Sequence, residues 1–307
     1  MNHLQNEIFQ DETKAREWLE SKIWAKGVVC PHCGTIGNNT ELKGKAHRAG
    51  VYQCNEAKCR EQFTATVGTV FERSKIPLTK WLVAVFLMAA SKKGMSAHQI
   101  HRMIGVSYKS TWFMCHRIRE AMKDGGLGPL GGGGEAVEAD ETYWGNKKPY
   151  GKGKRGTGDK MKVLSLVERD GKKRSFHIAN VTAKTVAPIL REQIAKKARL
   201  MTDEAKVYKE VGKEFASHDS VNHSLGEYAR GDATTNTVES SFAIFKRGLY
   251  GTYHHVSEAH LQRYATEFDF KWNHRSKLGY TDAERADAAL RGITGKRLTY
   301  KRVNAPT

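Results

Sequence analysis

The chain has 307 residues, 39% of them hydrophobic and 27% charged, which is enough apolar material for one sizeable core with small modules and excludes a disordered polymer. Lys and Arg number 51 against 33 Asp and Glu, a formal net charge of +18; this points to a polyanionic partner, nucleic acid first, with an inert basic surface as the bland alternative. The apolar stretch Trp81 to Ala90, followed by Lys92 and Lys93, falls far short of the roughly 20 residues that span a bilayer, and Met1 to Gln10 lacks the pattern of a signal peptide, so the expected compartment is the cytoplasm.

Residues 1–24 read as an N-terminal helix. Over 25–68, two cysteine pairs, Cys30-Pro31-His32-Cys33-Gly34 and Cys54 with Cys59, flank a polar, Gly-containing stretch. Paired thiolates two to four residues apart on a turn can put both sulfurs about 2.3 Å from one zinc, and two such turns complete a tetrahedron. A redox CxxC or a disulfide pair is the competing reading, and neither accounts for the second pair. One structural zinc on Cys30, Cys33, Cys54 and Cys59 is therefore expected, a closed shell that holds fold without doing chemistry. His32 is then a bystander, and the lone Cys115 a small core residue.

Over 75–124 the pattern is helical. Leu78 to Ala90 is an apolar helix, Ser96 to Ile104 a short one ended by Gly105, and a third begins at once, with Ser107 placed to cap it. Two short helices on a tight Gly turn suit a helix-turn-helix, which would present Tyr108, Lys109 and Ser110 to base edges or phosphates. A helical hairpin that only packs has the same pattern. Residues 125–135, almost all Gly, Leu and Pro, read as a flexible tether and a domain boundary.

The largest module, over 136–276, mixes strands and helices. Ala136 to Tyr143 alternates as a strand with Glu138 and Asp140 on one face, and Lys162 to Glu168 and Arg174 to Ala179 flank Asp170-Gly171, a hairpin signal. A helix from about Ala183 to Ala198 leads to a short strand, Arg199 to Asp203, that delivers Asp203 at its C-terminal end, where open α/β sheets place ligands. A helix capped by Asn236 carries Glu239 and, two turns on, Lys246. Glu239 could merely complete a capping box with Asn236. Alternatively, two aspartates and a glutamate form an oxygen-lined site suited to two magnesium or manganese ions, which relieve the repulsion of the acids and share a phosphate during in-line displacement.

Taken together, the Cys30 to Gly34 ribbon, Asp140-Glu141-Thr142-Tyr143-Trp144-Gly145, Thr202-Asp203, and Asn236 to Glu239 with Lys246 through Gly251 to Ser257 resemble the bacterial insertion-sequence DDE transposases related to the Merlin elements, with an ISXO-like transposase domain behind a zinc ribbon. The resemblance runs almost end to end. It implies an α/β, RNase H-like mixed-sheet core and a catalytic triad of Asp140, Asp203 and Glu239, the last two separated by 35 residues. It also matches a Gly- and Lys-rich insertion in which Lys147, Lys148, Lys152, Lys154 and Arg155 would follow a phosphate backbone, unless the run is merely solvated charge. Glu267 and Arg275 fall in the family pattern without an evident chemical role. Residues 277–307 read as a mobile basic tail.

What the resemblance implies is a nucleoid-associated enzyme that binds the terminal inverted repeats of its element and target DNA, acts as a homo-oligomer, and cuts and joins strands with Mg²⁺ or Mn²⁺. A DNA-binding regulator without catalysis and a ribonuclease H-type nuclease are the alternatives.

Overall fold

A computed structural model describes residues 3–123, 125–126, 128–145 and 160–299. The chain forms two compact units: one holds the sequence up to Ser91, Met95–Lys123 and the part from Thr281 onward, the other Lys92–Gly94 and Asp124–Tyr280.

In the first unit, α1 (Glu12–Ile23) starts at Asp11, whose carboxylate accepts the Lys14 N–H, and buries Ala15 and Leu19. Three short antiparallel strands follow, β1 (Asn39–Glu41), β2 (Tyr52–Cys54) and β3 (Gln62–Phe63), in the order β1-β2-β3. Such a sheet is too small to bury a core of its own, and Trp24, Tyr52 and Phe63 cluster beside the cysteines instead, with ring centroids 5.1 to 6.1 Å apart. Helix α2 (Leu78–Ala90) begins after Pro77 with no side-chain cap of its own. Its free N–H groups at Leu78 and Thr79 donate to the Glu12 carboxylate at 2.6 and 3.1 Å, so the first helix caps the second.

Helix α3 (Ala97–Ile104) is capped by Ser96 and stops at Gly105, which is left-handed at φ 64°; Ser107 then caps α4 (Tyr108–Ala121). The two helices pack together through this tight connection. For residues 282–291 the expected mobile tail is corrected. The helix Asp282–Arg291, opened by a capping box between Thr281 and Glu284, packs on α2 and α4, because Ala286, Ala289 and Leu290 form an apolar stripe that must be buried.

The second unit is a mixed α/β layer structure. Strands β4 (Ala136–Trp144), β5 (Met161–Glu168) and β6 (Lys173–Ile178) run antiparallel, with Asp170 at φ 54° in the β5–β6 turn. Helix α5 (Ala183–Gln193) crosses to β7 (Arg199–Thr202), and α6 (Lys209–Gly212) precedes β8 (Ser217–Ser220), both strands parallel to β4. The five-stranded sheet has the order β6-β5-β4-β7-β8, which leaves β4 in the middle. A small ribbon, β9 (Ala229–Arg230) with β10 (Ala233–Thr234), leads into α7 (Asn236–Gly248), a π-helical turn Leu249–Tyr253, and α8 (Glu258–Asn273).

Strand alternation distributes the core. Val137, Ala139, Leu164, Leu166 and Leu200 join Val186, Leu190 and Tyr208 on the α5 side. On the opposite side Met161, Val163 and Val167 meet Phe242, Phe245, Leu261 and Phe268 from α7 and α8. The glycine-rich stretch, expected as a tether throughout, is docked in its second half: Leu130 is buried and exchanges hydrogen bonds with Gln193 and Ala195. Gly131 sits at φ 71°, where a Cβ would lie 2.3 Å from that of Ala198. Helix α5 ends at Gln193, short of Ala198, because Ile194 instead bridges to Leu130 as extended chain. No described helix is long and apolar enough to cross a membrane.

Candidate active site and cysteine cluster

The four cysteines come together as their spacing requires. Cys30 and Cys59 sulfurs lie 3.8 Å apart, those of Cys33 and Cys54 3.6 Å apart, and all four are within 4.8 Å of one another. Among the described residues they are the one group of potential ligands drawn so close. Four sulfurs from two knuckles match the donor set of structural zinc. Hydrogen bonding to Thr35 holds Cys33 down to about 6, whereas burial pushes Cys54 up to about 12. Zinc binding therefore displaces protons from the cluster.

In the second unit, sheet register places the first two acids side by side. Ala136 pairs with Arg199 and Glu138 with Met201 in the parallel β4–β7 ladder, so Asp203, just past the end of β7, comes level with Asp140 in the middle of β4, each four residues past the Ala136–Arg199 pair. Asp140 accepts the Glu141 N–H at 2.7 Å and Asp203 that of Ala205 at 3.0 Å. Glu239 arrives on the first turn of α7, exposed. Burial pushes the Asp140 carboxyl up to about 8, and Asp203, Glu141 and Glu239 add to the rise against the opposing Glu141 N–H. Burial also raises Asp203, while His223 pulls it down. The carboxylates are not drawn as close together as the four sulfurs. Their donor set is all oxygen, which fits magnesium or manganese.

One side chain accounts for the position of Glu239. Glu138 is completely buried, and its carboxylate accepts hydrogen bonds from the backbone N–H groups of Thr237 (2.8 Å) and Val238 (2.9 Å), from the Thr237 hydroxyl (2.9 Å) and from Arg169 Nε (2.8 Å). Arg169 also donates to the Thr234 carbonyl at 3.2 Å. An anion at a helix N-terminus satisfies the donors that begin the helix and meets the positive end of its dipole. The expected cap at Asn236 is not formed. Thr235 occupies that position, and Glu239 accepts from its hydroxyl at 3.0 Å without entering a capping box.

Glu141 points the other way, toward the core, and accepts from the buried Tyr208 hydroxyl at 2.5 Å; burial carries its carboxyl to about 7. Neither Glu138's clamp nor Glu141's partner was deduced from the chain alone, although an acid inside the apolar run Ala136-Val137-Glu138-Ala139 was a signal for the first. Lys246 lies two turns beyond Glu239 on α7, about 10 Å along the axis, half-buried. Tyr108 is exposed and stacks on His98 with centroids 4.0 Å apart; Lys109 is exposed, and Ser110 is tied to Ser107 at the α4 cap. Lys147, Lys148, Lys152, Lys154 and Arg155 lie outside the described residues. Glu267 receives structural partners: buried on α8, it binds Tyr253 at 2.7 Å and Lys271 at 2.5 Å, anchoring the π-helical turn after α7. Arg275 stacks on Trp272 and donates to the Gly171 carbonyl in the β5–β6 turn.

Comparison with known proteins matches two stretches of the chain. Residues 129–273 match the family model described as the ISXO2-like transposase domain, and residues 10–62 the one described as the transposase zinc-ribbon domain. The chain is 28% identical over 280 residues to an uncharacterized protein in transposable element ISH50 of Halobacterium salinarum, covering 86% of this chain and 91% of that one.

Three outcomes are expected. Removing zinc with a strong chelator releases about one zinc per chain and four reactive thiols, and unfolds the β1–β3 ribbon as seen by Trp24 fluorescence; unchanged fluorescence with full thiol reactivity would contradict a structural metal. Glu138→Ala, which leaves the Arg169 charge and the α7 donors unpaired in the interior, lowers stability by about 3 kcal/mol in urea titrations, and Glu138→Gln by less. Finally, Asp140 is raised in the folded state, so its contribution is fully present below its unfolded value near 4 and is lost as pH climbs to about 8. The rise in melting temperature on adding Mg²⁺ should therefore grow from pH 5 to pH 8.5, and this growth should be absent in Asp140→Asn.

Proposed function

We propose that the chain is an active DNA transposase of the ISXO2-like family, whose centre is Asp140, Asp203 and Glu239. The observation that carries the proposal is the convergence of these three acids, from a central strand, its parallel neighbour and a helix N-terminus, with Asp140 pushed up to about 8. The order β6-β5-β4-β7-β8, antiparallel on one side of β4 and parallel on the other, supports an RNase H-like core.

In this reading Asp140 and Asp203 would hold divalent cations, with Glu239 as a further oxygen ligand from the helix. Bound Mg²⁺ or Mn²⁺ would supply the Lewis acidity that activates water or a 3′-hydroxyl and stabilises the leaving oxygen. Lys246, on the same helix, meets the neighbouring phosphate. The α3–α4 pair acts as a helix-turn-helix on the terminal repeats through Tyr108, Lys109 and Ser110. The insertion with Lys147, Lys148, Lys152, Lys154 and Arg155 follows the backbone of the bound strand. Bringing two element ends together calls for at least two chains.

The test is excision of the element from a donor plasmid, together with gel-shift binding to its terminal repeats. Asp203→Ala should abolish excision, by at least about 1000-fold, a loss of roughly 4 kcal/mol of transition-state stabilisation, while repeat binding is retained. Excision that persists in this variant refutes the assignment. A wild-type protein that binds the repeats but never cuts them in Mg²⁺ or Mn²⁺ is a regulator instead.

A further inference from the structure

Beside the three acids stands a fourth side chain that neither the sequence motifs nor the family match assigns. His223 lies on the loop between β8 and β9. Its Nε2 is 3.2 Å from Thr235 Oγ1 and 3.6 Å from Glu239 Oε1, and the Thr235 hydroxyl in turn donates to the same Glu239 oxygen at 3.0 Å. A tautomer carrying its proton on Nε2 satisfies every partner: the imidazole donates to Thr235, and Thr235 donates to Glu239. Thr235 is 1% exposed at the start of α7, so this hydroxyl has little freedom to seek other acceptors.

The loop that presents His223 is itself tied to the second acid. Glu204, the residue after Asp203, accepts the backbone N–H groups of His223 (3.1 Å) and Ser224 (3.2 Å) and the Ser224 hydroxyl (2.6 Å). Asn222 accepts the Leu225 N–H, Glu227 accepts that of Asn222, and Gly226 closes the turn at φ 75°. Tyr228 packs edge-on against the imidazole at 5.3 Å. A continuous chain of contacts thus runs from the strand end bearing Asp203, through Glu204 and the His223 backbone, across the imidazole and Thr235 to Glu239.

We propose that His223 is a positioning residue for Glu239: through Thr235 it holds Oε1, which leaves the other oxygen, Oε2, free for a cation that Asp140 and Asp203 would also hold. This inference rests on the metal-dependent reading above and deepens it. Outer-shell partners that orient a ligating carboxylate change metal affinity by about 10- to 100-fold when removed, and they do so without holding the metal themselves.

The experiment is a Mn²⁺ titration of the full-length, zinc-containing protein, following free Mn²⁺ by electron paramagnetic resonance, in the wild type, Asp203→Ala, His223→Ala, His223→Gln and Glu204→Gln. The expected result is loss of binding in Asp203→Ala, affinity weakened about 10-fold or more in His223→Ala, a smaller loss in Glu204→Gln, and affinity near wild type in His223→Gln, whose amide N–H can still donate. The metal-free melting temperature should not change in His223→Ala. If Asp203→Ala removes binding while His223→Ala and Glu204→Gln bind as the wild type does, the positioning role falls and the metal centre stands. If Asp203→Ala leaves binding intact, both fall together. A drop in the metal-free melting temperature of His223→Ala, with no recovery of affinity in His223→Gln, assigns the residue to the fold of its loop and overturns the proposal.

Discussion

The arrangement of the second unit depends on a single buried carboxylate. Glu138 lies on the central strand with no solvent contact, and the cost of burying its charge is met by four hydrogen bonds, three of them from the first turn of α7. Attraction alone is not the gain, because desolvation offsets much of it in a buried ion pair. What the carboxylate contributes is register. It fastens the helix carrying Glu239 one residue from Val238 and two residues along the same strand face from Asp140, a separation of about 7 Å on an extended chain. The third acid is therefore placed by the same strand that bears the first.

Around that fixed point burial and like charge make the electrostatics of the acids unfavourable. A chain with a formal charge of +18 nonetheless brings Asp140, Asp203 and Glu239 near one another with Glu141 on the opposite face of the strand, and burial with mutual repulsion raises Asp140 to about 8 and burial raises Glu141 to about 7. Tyr208 stabilises Glu141 from the core side, and His223 offsets part of the rise at Asp203. In the proposed reading, divalent cations bound here would displace protons from the raised carboxyls.

The first unit solves a different problem, that of ordering small elements with little core. Its ribbon relies on four sulfurs and three aromatic rings, and its longer helix α2 borrows its N-terminal cap from Glu12 on α1. The chain's last described helix then returns to cover α2 and α4, burying Arg285 against Asp282 and the Ala89 carbonyl.

What the sequence determined by itself was whatever depends on local spacing. Cysteine pairs predict a knuckle, Ser96, Gly105 and Ser107 the ends of α3 and the start of α4, and Asp170-Gly171 the hairpin, because each pattern acts over a few residues. The triad candidates were legible as acids on or just after strands and in a helix's first turn. The tertiary structure decided the rest, because it turns on contacts between residues far apart in the chain. Nothing local says that Glu138 will cap a helix 99 residues away, that Glu204 will hold His223 beside Glu239, that Leu130 will dock on Ile194, or that the basic C-terminal stretch will supply a helix to the first unit. Those pairings exist only once the sheet has brought their partners within hydrogen-bonding distance.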